Sequence, residues 1–106
     1  MEKYAVSITD NALADMQEIY YYIAHALSAP ETARGQYNRI AEAILTLDSF
    51  PERFQLFNAE PEHSLGIRKM VVDNYLVCYV VDTESVTVIA VFYGASDVHM
   101  RLKDRT

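Results

Sequence analysis

The apolar residues of this chain recur with a period of two, then of three and four, then in nearly unbroken runs, and each rhythm predicts an element. After Lys3, the residues Tyr4, Val6 and Ile8 alternate with Ala5, Ser7 and Thr9, as in a strand with one buried face. Thr9 or Asp10 can then cap a helix. Leu13, Met16, Tyr20, Ile23, Ala24 and Leu27 recur at helical steps, which predicts that helix from about Asn11 to about Leu27. Ser28, Pro30 and Glu31 restart a helix: Ser28 can accept from the backbone, Glu31 can reach back to it, and Pro30 loses no intrahelical bond in a first turn. The inner side of this second helix is Ala33, Tyr37, Ile40, Ala41, Ile44 and Leu47, and it stops where Phe50 precedes Pro51 and leaves the α region. The result is a helical hairpin.

From Pro51 to Gly66 no period is sustained, so a surface connection is expected, anchored by Phe54, Leu56 and Phe57. Beyond Ile67 come IRKMVV, YLVCYVVD and VTVIAVFY, parted by Asp73-Asn74 and by Thr83-Glu84-Ser85, which predicts antiparallel strands. The last two runs are apolar almost throughout. Helices then cover one sheet face, and something else, in a small domain a partner, shields much of the other. The predicted class is α+β, in the order β-α-α-β-β-β, with the hairpin packed on a small twisted antiparallel sheet. Its core is expected to join Leu13, Met16, Ile23, Ile40, Ile44 and Leu47 to sheet residues between Val71 and Val91.

The 106 residues fit one domain, spanning 1–106, and 51% hydrophobic with 23% charged residues is the composition of a folded protein. A formal net charge of −6 argues against a dedicated nucleic-acid binder, whose phosphate contacts need a clustered basic surface. Cys78 is the only cysteine and lies in an apolar run, so a buried strand thiol is expected and an internal disulfide is impossible. The opening MEKYAVSITD has neither the apolar stretch nor the cleavage site of a signal peptide, and no segment has the length of a membrane span; a cytoplasmic location is expected. His25 and His63 have no partners at metal-ligand spacing, so neither a metal nor a cofactor is anticipated.

Four segments, taken in order, resemble the RelE/ParE toxins of type II toxin-antitoxin systems over nearly the whole chain: YAVSITDNALADMQEIYYYI, ILTLDSFPERF, GIRKMVVDNYLVCYVVD, and VIAVFYGASD followed by HMRLKDR. In that superfamily, members resembling RelE are ribosome-dependent messenger ribonucleases, and those resembling ParE, the plasmid stabilisation branch, poison DNA gyrase. A RelE-like site has an arginine directly after the tyrosine of the middle strand, another just beyond the last strand, and a tyrosine or histidine near the terminus. Here Leu76 follows Tyr75, and YGASD, from Tyr93 to Asp97, has no basic residue. The resemblance therefore implies the ParE-like branch: a gyrase inhibitor neutralised by a cognate antitoxin, touching DNA only through that antitoxin, as a homodimer or in a heterotetramer with it. The alternatives are a RelE-like endoribonuclease, or a degenerate toxin that only binds its antitoxin and co-represses their operon.

Cleaving RNA through its own 2'-hydroxyl needs a base, an acid and cations around the phosphate. Arg68, Lys69, Tyr75 and His99 are the only nuclease candidates, and Arg68 and Lys69, adjoining on a strand, point to opposite faces. Arg34, Arg39 and Arg53 sit among acidic neighbours and read as a solvated surface. Arg101, Lys103 and Arg105 form the one local basic excess, either a frayed terminus or an arm that contacts the target or the antitoxin. Tyr20, Tyr21 and Tyr22 cannot all face the core. Exposed rings at Tyr21, Tyr22 and Tyr37 are the candidates for antitoxin binding, the other reading being tyrosines at the rim of the core.

Overall fold

The computed structural model describes residues 3–94 and Leu102. Along them run β1 (Ala5–Ile8), α1 (Asp10–Tyr21), a π-helical turn (Tyr22–Ala26), α2 (Pro30–Leu45), two short 3-10 turns (Thr46–Asp48 and Pro51–Arg53), and then β2 (Ile67–Val72), β3 (Tyr75–Val81) and β4 (Ser85–Tyr93). The hairpin and the three closing strands stand where the periodicity predicts them.

Strand order in the sheet is β1-β4-β3-β2. The pairs β2–β3 and β3–β4 are antiparallel as expected, whereas β1 joins β4 in parallel, so the sheet is mixed. The hairpin causes this. It carries the chain out and back, because Thr9 N–H donates to Val88 O at the end of β1 while Tyr4 N–H donates to Asp48 O just beyond α2. The chain thus begins β2 from the end where β1 began, and after two reversals β4 points the same way as β1.

Thr9 caps α1, its Oγ1 accepting from Ala12 N at 3.1 Å. The inward face of that helix is not the one its larger apolar residues suggest. Ala12, Asp15, Met16 and Ile23 are buried, while Leu13 and Leu27 are exposed, so Leu13 stands outside the core expected to contain it. The i→i+5 winding from Tyr22 to Leu27, closed by Leu27 N–H to Tyr22 O at 3.2 Å, takes Leu27 out of phase with Ile23. Ser28 does not cap α2 either. It takes a left-handed φ of 52° at the reversal, leaving Ala29 as the N-cap without a side-chain bond and Pro30 in the first turn.

The α2 face agrees with its pattern: Ile40, Ile44 and Leu47 pack with Ala12 and Met16 against Met70, Tyr75, Val77, Tyr79, Val86, Val88 and Val91. Opposite Cys78 and Tyr79, β4 carries an irregularity, since Cys78 pairs Ala90 and Tyr79 pairs Val88, leaving Ile89 as an extra residue. That insertion switches the alternation of β4. Val86, Val88 and Val91 face the helices, and Ala90 and Phe92 face the other way with Ile67, Leu76 and Cys78. The second face is shielded by the chain itself: Leu102, 1% exposed, packs on Phe92, Cys78 and their neighbours, with Phe57 beside them. These residues supply cover for which the sequence offered a partner as one source, and Val71 at the edge of the face stays exposed.

The connection is bound to the sheet edge. Phe57 N–H donates to Ile67 O and Lys69 N–H to Gln55 O, with Leu56 bridging Arg68, while Tyr79 Oη donates to Pro51 O at 2.7 Å. Arg53 donates to the carbonyls of Thr46, Ser49 and Phe50, tying the start of the connection to the end of α2. Across the sheet, Asp73 in the β2–β3 turn accepts from Arg39 Nε at 2.8 Å and Gln36 Nε2 at 3.0 Å, pinning α2 to the turn. Asp73 has φ 55°, a region Asp and Asn tolerate better than other side chains.

Packing of this kind has two measurable outcomes. Ile44→Ala leaves a cavity under α2 and should cost about 2 to 4 kcal/mol in denaturant unfolding, as other large-to-small core changes do; a change below about 0.5 kcal/mol would mean that α2 does not pack as described. Hydrogen bonds from Arg39 and then Gln36 hold the Asp73 carboxyl below its usual range. A carboxyl depressed on folding stabilises the fold above its unfolded value, about pH 3.9, and that contribution is lost as pH falls through the folded value. In Asp73→Asn, which keeps the turn, thermal midpoints measured from pH 6 down to pH 2 should decline less steeply than in the parent.

Candidate functional site

Beside the residues that build the core, α1 presents aromatic rings on both flanks. On one flank, Tyr20 makes edge contacts with Tyr21 and Tyr37 at centroid distances of 5.7 and 6.2 Å, and His25 stacks on Tyr21 at 5.6 Å. These tyrosines, with Gln17 and Arg34, line a shallow cleft of about 220 Å³. On the other flank, a larger cleft of about 560 Å³ opens between the π-turn and the ends of β3 and β4. Ile19, Ile23 and Leu27 form its helical wall, Tyr75, Val91 and Tyr93 its sheet wall, and Tyr22, Asp15 and Glu18 stand along it.

The second cleft exists because β1 is short. It pairs with β4 only over Ser85 to Val88, and β4 runs on to Tyr93. At that level α1 takes the place of a strand: Asp15, 7% exposed, accepts the Val91 amide on Oδ2 at 2.9 Å. Tyr75 and Tyr93 face each other across the β3–β4 pair, with centroids 5.4 Å apart and planes at 66°. Burial pushes the Tyr75 phenol up, and Tyr93, Asp73 and Tyr22 add to it, so Tyr75 remains a neutral hydrogen-bond donor at physiological pH.

The three antitoxin-binding candidates are therefore divided. Tyr21, exposed, and Tyr37, half-buried, belong to the smaller cleft, while Tyr22, also exposed, belongs to the larger one with Tyr75 and Tyr93. Sequence reasoning missed Glu18, Asp15 and Tyr93. The signal for Asp15 was present, in a carboxylate one turn before Ile19 and in phase with Ala12 and Met16, but only a polar residue tolerated on the inner face would have made it readable.

The nuclease candidates are dispersed. Arg68 lies on the helix-covered face at the edge of β2, where its guanidinium donates to the carbonyls of Glu52 and Phe54 and pairs with Glu52 at 3.6 Å. Lys69 lies on the opposite face, its Nζ 5.2 Å from the centroid of the Phe57 ring. Tyr75 is at the far end of the sheet beneath the larger cleft, because Val72, not Arg68, is its partner across β2. His99 and the basic residues Arg101, Lys103 and Arg105 lie outside the described residues, though Leu102 among them is buried in the second core. No group of three or more His, Cys, Asp or Glu side chains among the described residues could hold a metal, and no described helix is long and apolar enough to cross a membrane.

Comparison with known proteins agrees with this architecture. A solved structure described as the chromosomal ParDE TA system from P. aeruginosa superposes with a TM-score of 0.73 at 19% identity, covering 88% of this chain and 98% of that one. The toxin-antitoxin complex RelBE2 from Mycobacterium tuberculosis gives a TM-score of 0.63 at 20% identity, covering 91% and 97%. No curated protein matches the sequence. The sequence model of the ParE toxin of type II toxin-antitoxin system, parDE, matches residues 6–98. With nearly the whole sequence matched and the predicted β-α-α-β-β-β order in place, the chain belongs to the ParE toxin family of type II toxin-antitoxin systems.

Proposed function

We propose that this toxin acts in the cytoplasm by holding a protein target, DNA gyrase, without hydrolytic chemistry of its own, and that it is silenced by an antitoxin encoded beside it. The observation that carries the reading is the dispersal of Arg68, Lys69 and Tyr75. RNA cleavage needs a base, an acid and cations converging within hydrogen-bond reach of one phosphate. Arg68 is spent on loop carbonyls, Lys69 is across the sheet, and Tyr75 pairs with Val72 at the other end of β2. Leu76, at the position of a RelE-like arginine, is buried in the second core.

Binding needs no such convergence. A few aromatic and charged anchors supply most of an interface's affinity, and the basic Arg101, Lys103 and Arg105 are the anchors we assign to the target. The antitoxin is assigned to the helical hairpin, whose two aromatic clefts lie where an extended or helical segment can cross α1. The solved structures similar to this chain in fold include toxin-antitoxin complexes, which supports a segment of that kind.

The burial of Leu102 decides how the tail should be tested. Deleting Arg101 through Thr106 would strip a core side chain with the charges, so the informative variant replaces Arg101, Lys103 and Arg105 by Gln and keeps Leu102. Expressed at matched levels, His99→Ala should still arrest growth and the triple Gln variant should not. A nuclease responds in the opposite order, since loss of a general acid lowers its rate by about 100-fold or more. Arrest lost in His99→Ala and kept in the triple variant would overturn the gyrase reading.

A further inference from the structure

The larger cleft has a chemical bias that its position alone does not require. Its walls are mostly apolar, with Thr32 among them, its rings are all phenols, its two carboxyl groups are those of Asp15 and Glu18, and no Lys, Arg or His among the described residues lines it. Asp15 is buried and committed to the Val91 amide. Glu18 is exposed and enters none of the ion pairs among the described residues. Tyr75 and Tyr93 meet edge to face, with the Tyr93 ring exposed, and Tyr22 lines the same cleft from the π-turn.

A cation held within about 6 Å of such ring faces is attracted by their negative quadrupoles, most strongly where water is excluded. A carboxylate at the mouth adds a counter-charge, and a chain with a net charge of −6 draws cationic segments towards it. The occupant is thus positively charged and partly apolar. A volume of about 560 Å³ exceeds one side chain, so the apolar neighbours of the cation must fill the rest against Ile19 and Ile23. The π-turn fits this role, because π-turns within α-helices occur frequently at functional sites.

We propose that this cleft receives one arginine or lysine, flanked by apolar residues, from the antitoxin segment, with Tyr22, Tyr75 and Tyr93 around the cation and Glu18 as its counter-ion. The proposal rests on the antitoxin reading above. It adds a fixed point to it: the segment that crosses α1 is anchored on the Tyr22 flank by a positive charge.

The probe is the protein encoded by the gene adjoining this one, titrated into the full-length toxin. Because Glu18 and Tyr93 are exposed, Glu18→Lys and Tyr93→Ala should fold as the parent does, which circular dichroism checks. Glu18→Lys should weaken binding by about 20-fold or more through like-charge contact, and Tyr93→Ala by about 10-fold through loss of a ring. Reversing a single Arg or Lys of the antitoxin to Glu should restore most of the affinity to Glu18→Lys and to no other variant. Wild-type binding that neither substitution changes by more than about twofold removes this proposal and leaves the antitoxin reading standing. Weakening in Tyr93→Ala alone means an uncharged occupant and also overturns it. No binding by the wild-type toxin removes both.

Discussion

Asp15 accepts the Val91 amide at the level where β1 has ended and β4 continues, and the placement of α1 over the sheet depends on that bond. β1 is four residues long and β4 nine, so the far half of β4 has an edge that β1 does not reach. A buried backbone N–H left without a partner costs about 1 to 3 kcal/mol. The Asp15 carboxyl oxygen delivered by α1 meets that need and fixes the height of the helix over the sheet. Everything further along α1 inherits that placement. Tyr22 and the π-turn come to stand opposite Tyr75 and Tyr93, and the larger cleft opens between them.

The same bond explains why α1 was harder to read than α2. In α2 the inward residues Ile40, Ile44 and Leu47 are the conspicuous apolar ones, and their spacing alone gives the face. In α1 the inward positions include Ala12, which is small, and Asp15, which is charged, while Leu13 and Leu27 lie exposed. A periodicity that weighs side chains by hydrophobicity turns that helix towards the wrong side. The strands were legible because β-branched and aromatic runs broken by Asp73-Asn74 and Thr83-Glu84-Ser85 leave few alternatives. The extra residue Ile89 was not, since a continuous apolar run hides a change of face. Nor was the parallel pairing of β1 with β4, which depends on where the whole hairpin delivers the chain. Leu102 stands alone among charged residues with no period to mark it, and its place in the second core was legible only in three dimensions.

Of the candidate binding residues, sequence placed Tyr21, Tyr22 and Tyr37 on exposed or half-exposed positions but could not divide them between two flanks of α1. It also separated Arg68 from Lys69 by the alternation of a strand, and the structure adds what holds each: carbonyls of the 51–54 turn for Arg68, the Phe57 ring for Lys69. These two cations are therefore parts of the fold, bracing the connection against β2 from both faces. With the cations of β2 engaged by the connection, the exposed aromatic rings and the Glu18 side chain of the helical hairpin are the groups among the described residues that the proposed antitoxin contact would use.

The most direct measurement expresses the toxin under tight control and follows plasmid topology and messenger integrity in the same cells. A gyrase-directed toxin should alter plasmid supercoiling within the period of growth arrest while messengers stay full length. Cleaved messengers with unchanged plasmid topology would contradict a gyrase-directed, non-hydrolytic mode of action.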